Sequence, residues 1–374
     1  MKLSENISLA QYTTFKIGGK ARFFCVVTSE DELVEAVEFA KLPKDSKTHS
    51  LPILVLGGGS NMLVSDAGFD GIVIKNEISG IKVEDKYIKD IGDDDLFVSA
   101  GAGESWDNLV EYSVRNGLYG IENLSAIPGT VGAAPVQNIG AYGAEAAQTI
   151  SNVRALDTKM MKFVELSKED CKFGYRDSIF KHERDLVTKQ PRYIITVVSF
   201  KLVKNGVLKI DYKDVREYFD KKNITVPTLT DLRRSIIEIR TSKLPDWKEW
   251  GTAGSFFKNP SVTVVKFAEL KDKYPDLPGF PEIGGETNSS DSSNTTGDMK
   301  VSLGWILDKV CDVRGLTVDT ASGGKVGTYS SQALVIIARD GATAADVLDF
   351  SKELIRRVKD KTGIVIEAEV EWVC

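Results

Sequence analysis

Apolar positions along the chain come in short runs broken by glycine, proline and charge. Their spacing predicts short strands interleaved with amphipathic helices. Residues 21–27 (ARFFCVV) follow the Gly18-Gly19 turn and predict a strand. Ser29-Glu30-Asp31-Glu32 opens a helix with Leu33, Val34, Val37, Phe39 and Ala40 on one side. Residues 52–56 form a short, fully apolar strand that runs straight into Gly57-Gly58-Gly59-Ser60-Asn61, and 71–74 predict another. A strand at 96–100 precedes a helix over 105–116, whose Trp106, Leu109, Val110, Ser113 and Val114 recur at helical spacing and which Gly117 closes. Residues 153–156 and 193–202 predict strands.

Near Pro227 the texture changes. A helix is expected over 230–242, a loop of small residues over 251–260 and a further helix over 262–270. Residues 284–298 (GGETNSSDSSNTTGD) are polar, of low complexity and expected to be mobile. Helices at 301–310 and 342–361 flank a strand at 333–338, and a strand over 364–373 closes the pattern.

One stretch fits neither period. Residues 126–143, AIPGTVGAAPVQNIGAYG, are too rich in small residues for a core helix or strand. The glycines allow a close backbone approach, and Pro128 and Pro135 keep the loop from becoming helix. Gln137 and Asn138 add amides, and Tyr142 adds a ring with a hydroxyl. With almost no charge, such a loop suits a large polyanion held by N–H groups. The GGGSN turn at 57–61 has the same character. Neither is a Rossmann fingerprint, since Trp106 stands where a third glycine would follow Gly101 and Gly103, and no P-loop pattern occurs.

Composition narrows the chemistry. The 374 residues predict two or three domains, and 42% hydrophobic with 27% charged residues suits a soluble globular protein. A net charge of −6 does not suggest a nucleic-acid surface. Neither a membrane-spanning apolar run nor a signal-peptide core is evident, so a cytoplasmic protein with no membrane association is expected, its Cys25, Cys171, Cys311 and Cys374 reduced. Only His49 and His182 are present, which removes most zinc sites and histidine-based triads; both histidines are expected to be solvated, and no metal is expected.

Three polar groups stand in otherwise bland surroundings: Arg176 in GYRDS, Ser255 in GTAGSFF and Glu369 in IEAEVEW. Residue chemistry alone leaves each with a second meaning. Ser255 could cap a turn, and Arg176 could pair with Asp177 or another carboxylate. Glu367, Glu369 and Glu371 alternate on one side of the expected strand, with Glu367 and Glu371 on an exposed acidic face. The residues thus point to a phosphate-bearing ligand and a second polar site, without a reaction.

A resemblance supplies the reaction. Thr14-Phe15-Lys16-Ile17-Gly18-Gly19, LGGGSNML at 56–63, the loop 127–143, FGYRDSIFK at 173–181, GTAGSFFKNP at 251–260 and residues 366–370 resemble the UDP-N-acetylenolpyruvoylglucosamine reductase family. The motifs occur in family order from Thr14 to Glu369, and GYRDSIFK with the segment around Tyr212 resembles the type I branch. The resemblance implies an α+β fold of the vanillyl-alcohol oxidase (PCMH) type. Two FAD-binding subdomains, 1–78 and 79–225, would be followed by a substrate-binding α+β domain, 226–363, and a C-terminal strand, 364–374, carrying Glu369 to the active site.

The implied activity is reduction of UDP-N-acetylglucosamine enolpyruvate to UDP-N-acetylmuramate, with non-covalent FAD and with NADPH as hydride donor. It belongs to peptidoglycan precursor synthesis, and hence to cell-wall biogenesis, cell shape and division. A cytoplasmic monomer is implied. FAD would be held by Gly57, Gly58, Gly59, Ser60 and Asn61 on one side. Ile127, Pro128, Gly129, Thr130, Gly132, Ala133, Gln137, Asn138, Gly140 and Ala141 would hold it on the other. Hydride reaches C3 of the enolpyruvyl group, leaving carbanion character at C2. By motif position Ser255 would protonate C2, while Arg176 and Glu369 polarise the substrate carboxylate, Glu369 as a raised-pKa acid. Tyr142, Tyr212, Arg240, Lys243, Asn259 and Gln332 fall at substrate positions. Phe280 departs from the tyrosine that type I enzymes can carry there. Two rivals are a non-catalytic flavin or nucleotide binder, which has no use for a proton donor, and an oxidase with FAD tethered through His or Cys. Neither glycine loop contains either residue.

Overall fold

The computed structural model describes residues 1–42, 50–84, 94–184, 190–281 and 298–374. His49 and all but the last residue of the polar stretch at 284–298 lie outside the described residues.

The first lobe is a four-stranded sheet in the order Lys2–Ser8, Lys20–Val27, Phe69–Asn76, Ile53–Leu56. The first pair is antiparallel and the others parallel. Helix Glu30–Lys41 covers it with Leu33, Ala36, Val37 and Ala40 buried, the i, i+3, i+4, i+7 stripe of an amphipathic helix. Ser29 caps this helix by accepting from the Glu32 N–H at 3.2 Å.

The second lobe is an antiparallel five-stranded sheet in the order Lys162–Ser167, Ile150–Asp157, Tyr193–Val203, Asp95–Gly101, Ile81–Glu84. Helix Trp106–Arg115 packs on it through Trp106, Leu109, Val110 and Val114. Helix Leu229–Lys243, expected in the third domain, belongs here instead. Its Leu232, Ile236 and Ile239 bury against Val215 and Phe219 of helix Lys213–Lys222. Arg233 forks onto Asp107 of the second lobe at 2.7 and 2.9 Å.

The third lobe is a sheet in the order Gly251–Ser255, Gln332–Arg339, Lys325–Tyr329, Thr317–Asp319, backed by helix Ala344–Thr362. The loop expected over 251–260 thus begins as a strand. Its residues are small because the strand lies against the 14–15 backbone: a Cβ on Gly251 would sit 2.2 Å from the Phe15 carbonyl oxygen, and the Thr14 hydroxyl donates to the Thr252 carbonyl at 2.6 Å. The helix expected over 262–270 starts later, at Val264, after the two-residue strand Ser261–Val262. The helix expected over 301–310 is one α-turn, Leu303–Trp305, followed by a π-turn, Ile306–Val310.

The strand expected over 364–373 forms a ladder only at Glu371–Val373, parallel to Met62–Val64 of the first lobe. Upstream, Ala368 bridges Phe257 and the Glu369 N–H donates to the Phe256 carbonyl at 2.8 Å. The final segment therefore ties the third lobe to the first. A second tie is Asp66, whose carboxylate accepts from the N–H groups of Ala344 and Ala345 at 2.8 and 3.0 Å. The first lobe thereby caps the long helix of the third.

Asp66→Ala is expected to cost about 1–2 kcal/mol of stability, the range for losing a helix cap, with Asp66→Asn losing less. Thermal unfolding of the two variants checks this; an unchanged midpoint for Asp66→Ala contradicts the cap.

Candidate active site

Strand Ile53–Leu56 ends in three glycines, Gly57 to Gly59, that have no room for side chains. Gly59 sits at φ +61°, and a Cβ there would lie 2.0 Å from the Tyr12 carbonyl oxygen. A Cβ on Gly58 would lie 2.7 Å from Gly129 Cα. The turn at 57–61 and the loop at 126–143 therefore meet backbone to backbone. The Ser60 hydroxyl donates to the Pro128 carbonyl at 2.9 Å. The Asn61 amide donates to the Gln137 side chain at 2.7 Å and to the Glu369 carbonyl at 3.2 Å. Among the described residues, no acceptor takes a hydrogen bond from the backbone N–H groups of Gly58, Gly59, Gly129 or Thr130. These donors face the anion-holding task that the glycines suggest.

The seam opens into a cavity of about 1050 Å³ between the lobes. Gly57 to Asn61, Ile127 to Thr130, Gly132, Ala133, Gln137 and Gly140 line it. Two residues of the expected cofactor set do not. Asn138 is 1% exposed and its amide is spent within the fold, donating to Glu145 and the Gly174 carbonyl and accepting from the Ala147 N–H. Ala141 belongs to a small hairpin, Gly140–Ala141 with Ala144–Glu145. The cavity fits an elongated, diphosphate-bearing cofactor such as FAD: it combines a side-chain-free cradle, unpaired amides and enough volume.

Arg176, Ser255 and Glu369 all reach this cavity, from the second lobe, the third lobe and the C-terminal segment. Arg176 occupies a tight turn at φ +54° in which Gly174 and Asp177 exchange backbone hydrogen bonds. Its Nη2 donates to the Gly140 carbonyl at 2.7 Å. Its Nε lies 3.0 Å from Glu369 Oε1, yet among the described residues this buried N–H has no aligned hydrogen-bond acceptor. The contact is an ion pair held off the donor axis. Arg176 thus pairs with Glu369; Asp177 pairs instead with His182, which is 69% exposed at its side chain. The Glu369 side chain is 13% exposed, and burial pushes its carboxyl above the usual range, with Arg176, Lys181 and Lys258 pulling the other way.

Ser255 ends strand Gly251–Ser255 and is exposed to the cavity. Among the described residues its hydroxyl caps nothing, which removes the turn-cap reading. The flanking glutamates are both exposed: Glu367 has Lys258 at 3.7 Å, and Glu371, at the cavity rim, pairs with Arg184 at 2.9 Å.

The substrate candidates form two groups. Arg240 lines the cavity, its Nε donating to the Ala126 carbonyl at 3.1 Å, beside Tyr142. Burial pushes the Tyr142 hydroxyl up to about 12. Tyr142 meets the Tyr212 ring edge-on at 5.3 Å, and Lys243 pairs with Asp214 at 2.6 Å. The second group flanks the turn at 303–305: Asn259 accepts from the Leu303 N–H at 3.0 Å, and the Gln332 side chain lies against Gly304. Tyr142, Tyr212, Lys243, Asn259 and Gln332 do not themselves line the cavity. Phe280 is 62% exposed on strand Gly279–Pro281 and does not line it either. Lys181, Lys258, Trp247 and Tyr329, outside the expected set, do line it. Lys181 and Lys258 carried a signal, as members of FGYRDSIFK and GTAGSFFKNP.

Comparison with known proteins shows the family. Residues 21–160 match the family model for an FAD binding domain, and residues 246–373 match that for the UDP-N-acetylenolpyruvoylglucosamine reductase C-terminal domain. The chain is 37% identical to the UDP-N-acetylenolpyruvoylglucosamine reductase of Pseudomonas aeruginosa, covering 99% of this chain and 98% of that one. It is 35% identical to that of Chromobacterium violaceum, with the same coverage of both. Among solved structures, the UDP-N-acetylenolpyruvylglucosamine reductase (MurB) of Thermus caldophilus superposes with a TM-score of 0.61 at 25% identity, covering 100% of both chains.

The raised Glu369 carboxyl gives a pH dependence with a definite sign. A group raised in the folded state adds stability below its unfolded value of 4.5, and that contribution is lost as pH rises through the folded value. Glu369→Gln should therefore gain stability relative to the parent as pH is raised from about 4 to 8, measured by thermal unfolding. A difference that moves the other way contradicts a raised carboxyl.

Proposed function

The chain belongs to the UDP-N-acetylenolpyruvoylglucosamine reductase family, and from that premise we propose which of its residues do the work. It is an FAD-dependent oxidoreductase, a UDP-N-acetylmuramate dehydrogenase, that uses NADPH to reduce UDP-N-acetylglucosamine enolpyruvate in peptidoglycan synthesis. Its fold is the α+β FAD-binding type with a substrate domain appended. Among the described residues no helix is long and apolar enough to cross a membrane. A cytoplasmic location and a monomeric state are part of the proposal.

Bound FAD supplies a hydride carrier between NADPH and the enolpyruvyl C3. The amides of Gly58, Gly59, Gly129 and Thr130 receive its diphosphate, and Asn61 with Gln137 keeps the two loops in register. Arg176 and Glu369 receive the substrate carboxylate. The unaligned Arg176 N–H supports this role, since a carboxylate seated between the two side chains would give it a straight acceptor. Glu369 would share its proton with that carboxylate, consistent with a carboxyl that burial keeps protonated to higher pH. Charge developing at C2 then spreads into a carboxylate already held by a cation and an acid. Ser255 delivers the proton to C2, so that C3 gains a hydride and C2 a proton. Arg240, Tyr142, Tyr212 and Lys243 hold the uridine diphosphate end, and Asn259 and Gln332 support the carboxylate end from the 303–305 turn.

The single observation carrying this reading is that Arg176, Ser255 and Glu369, from three parts of the chain, open onto one cavity beside the glycine seam. Separate half-reactions test it. Ser255→Ala should leave flavin reduction by NADPH near the parent rate and slow substrate-driven reoxidation by about 10²–10⁴-fold, the range for losing a positioned proton donor. Equal slowing of both half-reactions would remove Ser255 as the C2 donor.

A further inference from the structure

Lys181 closes the FGYRDSIFK stretch and has no role in the division of labour above. It lies on the short helix Ile179–His182, half-buried on the cavity wall. Its ammonium donates to the main-chain carbonyl of Arg176 at 2.8 Å. Arg176 is a non-glycine residue at φ +54°, a conformation that persists only where the surroundings impose it. Three restraints hold that turn in place. Gly174 and Asp177 close it by backbone hydrogen bonds of 3.0 and 3.3 Å. The Ser178 hydroxyl anchors it to the Val136 carbonyl at 2.6 Å. The Lys181 ammonium grips the peptide of Arg176 itself. The same charge lies near Glu369: Arg176, Lys181 and Lys258 all act electrostatically on that carboxyl, which in turn acts on Tyr175. Lys181 in turn faces Lys258, Glu369, Asp177 and Glu371, and burial with Lys258 draws its ammonium down from the usual value.

We propose that Lys181 is a positioning residue for the Arg176–Glu369 pair, holding Arg176 in its left-handed conformation and placing a second cation beside Glu369. It aims the guanidinium at the cavity through the backbone, and it sets its own ammonium on the wall of the cavity that the Glu369 carboxyl lines. This rests on the assignment of Arg176 and Glu369 to the substrate carboxylate.

The test uses the FAD-loaded full chain with Lys181→Met, which removes donor and charge at similar length, and Lys181→Arg, which keeps both. Two quantities are read. One is the midpoint of the Glu369 carboxyl, followed by carbon-13 NMR or infrared difference against Glu369→Gln. The other is the pair of half-reaction rates. Lys181→Met should raise the Glu369 midpoint by about one pH unit, the smaller end of the effect of a nearby opposite charge. It should slow substrate-driven flavin reoxidation about 10–100-fold more than NADPH-driven reduction, as misplacement of a positioned group does. Lys181→Arg should recover most of both. An unmoved midpoint with no selective slowing overturns the proposal, as does a Lys181→Arg variant as impaired as Lys181→Met in both readouts. If Lys181→Met does not fold, Lys181→Gln is read in its place against the same two outcomes. A parent enzyme that reduces its flavin but never returns it to substrate would defeat the assignment of function instead, and the midpoint would still decide whether Lys181 acts on Glu369.

Discussion

The whole arrangement depends on one close approach, that of the Gly57–Asn61 turn to the loop around Gly129. The two backbones can touch at 58 and 129 because residue 58 has no side chain, while Gly129 holds φ +129°, a conformation that favours glycine. That contact is between the first two lobes, and the unpaired amides of both loops lie beside it. Asn61 then binds the seam to the rest of the chain. Its side chain reaches Gln137 of the second lobe and the Glu369 carbonyl, while its own carbonyl accepts from the Glu371 N–H at 3.0 Å. The residue that joins the cofactor loops also positions the backbone of the C-terminal acid, so cofactor and substrate ends of the cavity share one joint.

The second requirement is electrostatic. A carboxylate and a guanidinium, both largely out of water, are costly unless each finds partners. Arg176 meets this with the Gly140 carbonyl and with Glu369, and keeps one N–H without an aligned acceptor. Glu369 meets it with three cations around a carboxyl that burial still raises. A pair left short of full satisfaction is poorly suited to be only a strut. It is well suited to receive a further carboxylate, and buried, imperfectly paired groups in a cleft are where acid–base work concentrates.

Much of this was legible in the residues because small side chains and turn chemistry leave strong local signals. The two glycine loops stand out by their lack of side chains, and helices such as Glu30–Lys41 and Trp106–Arg115 by their caps and 3.6-residue stripe. What stayed hidden was set by distant partners. Gly251–Ser255 lacks the residues of a strand because Thr14 and Phe15 press against it. Lys2–Ser8 is a mostly polar outer strand with little alternation, and its pairing with Lys20–Val27 is what makes it a strand. Helix Leu229–Lys243 follows a change in texture yet packs backward, because its apolar stripe fits helix Lys213–Lys222. Asn138 and Gln137 are adjacent and chemically alike, but the first is spent on Glu145, Ala147 and the Gly174 carbonyl while the second faces the cavity. No local pattern distinguishes them.

The most direct measurement of the central claim, that the glycine seam holds FAD without a covalent bond and serves both halves of the reduction, is an anaerobic visible spectrum of the purified protein. The account predicts flavin bands near about 370 and 450 nm that bleach with NADPH and return on adding UDP-N-acetylglucosamine enolpyruvate, with flavin released on denaturation. A colourless protein that cannot be reconstituted with FAD, or one whose flavin stays attached after denaturation, would contradict it.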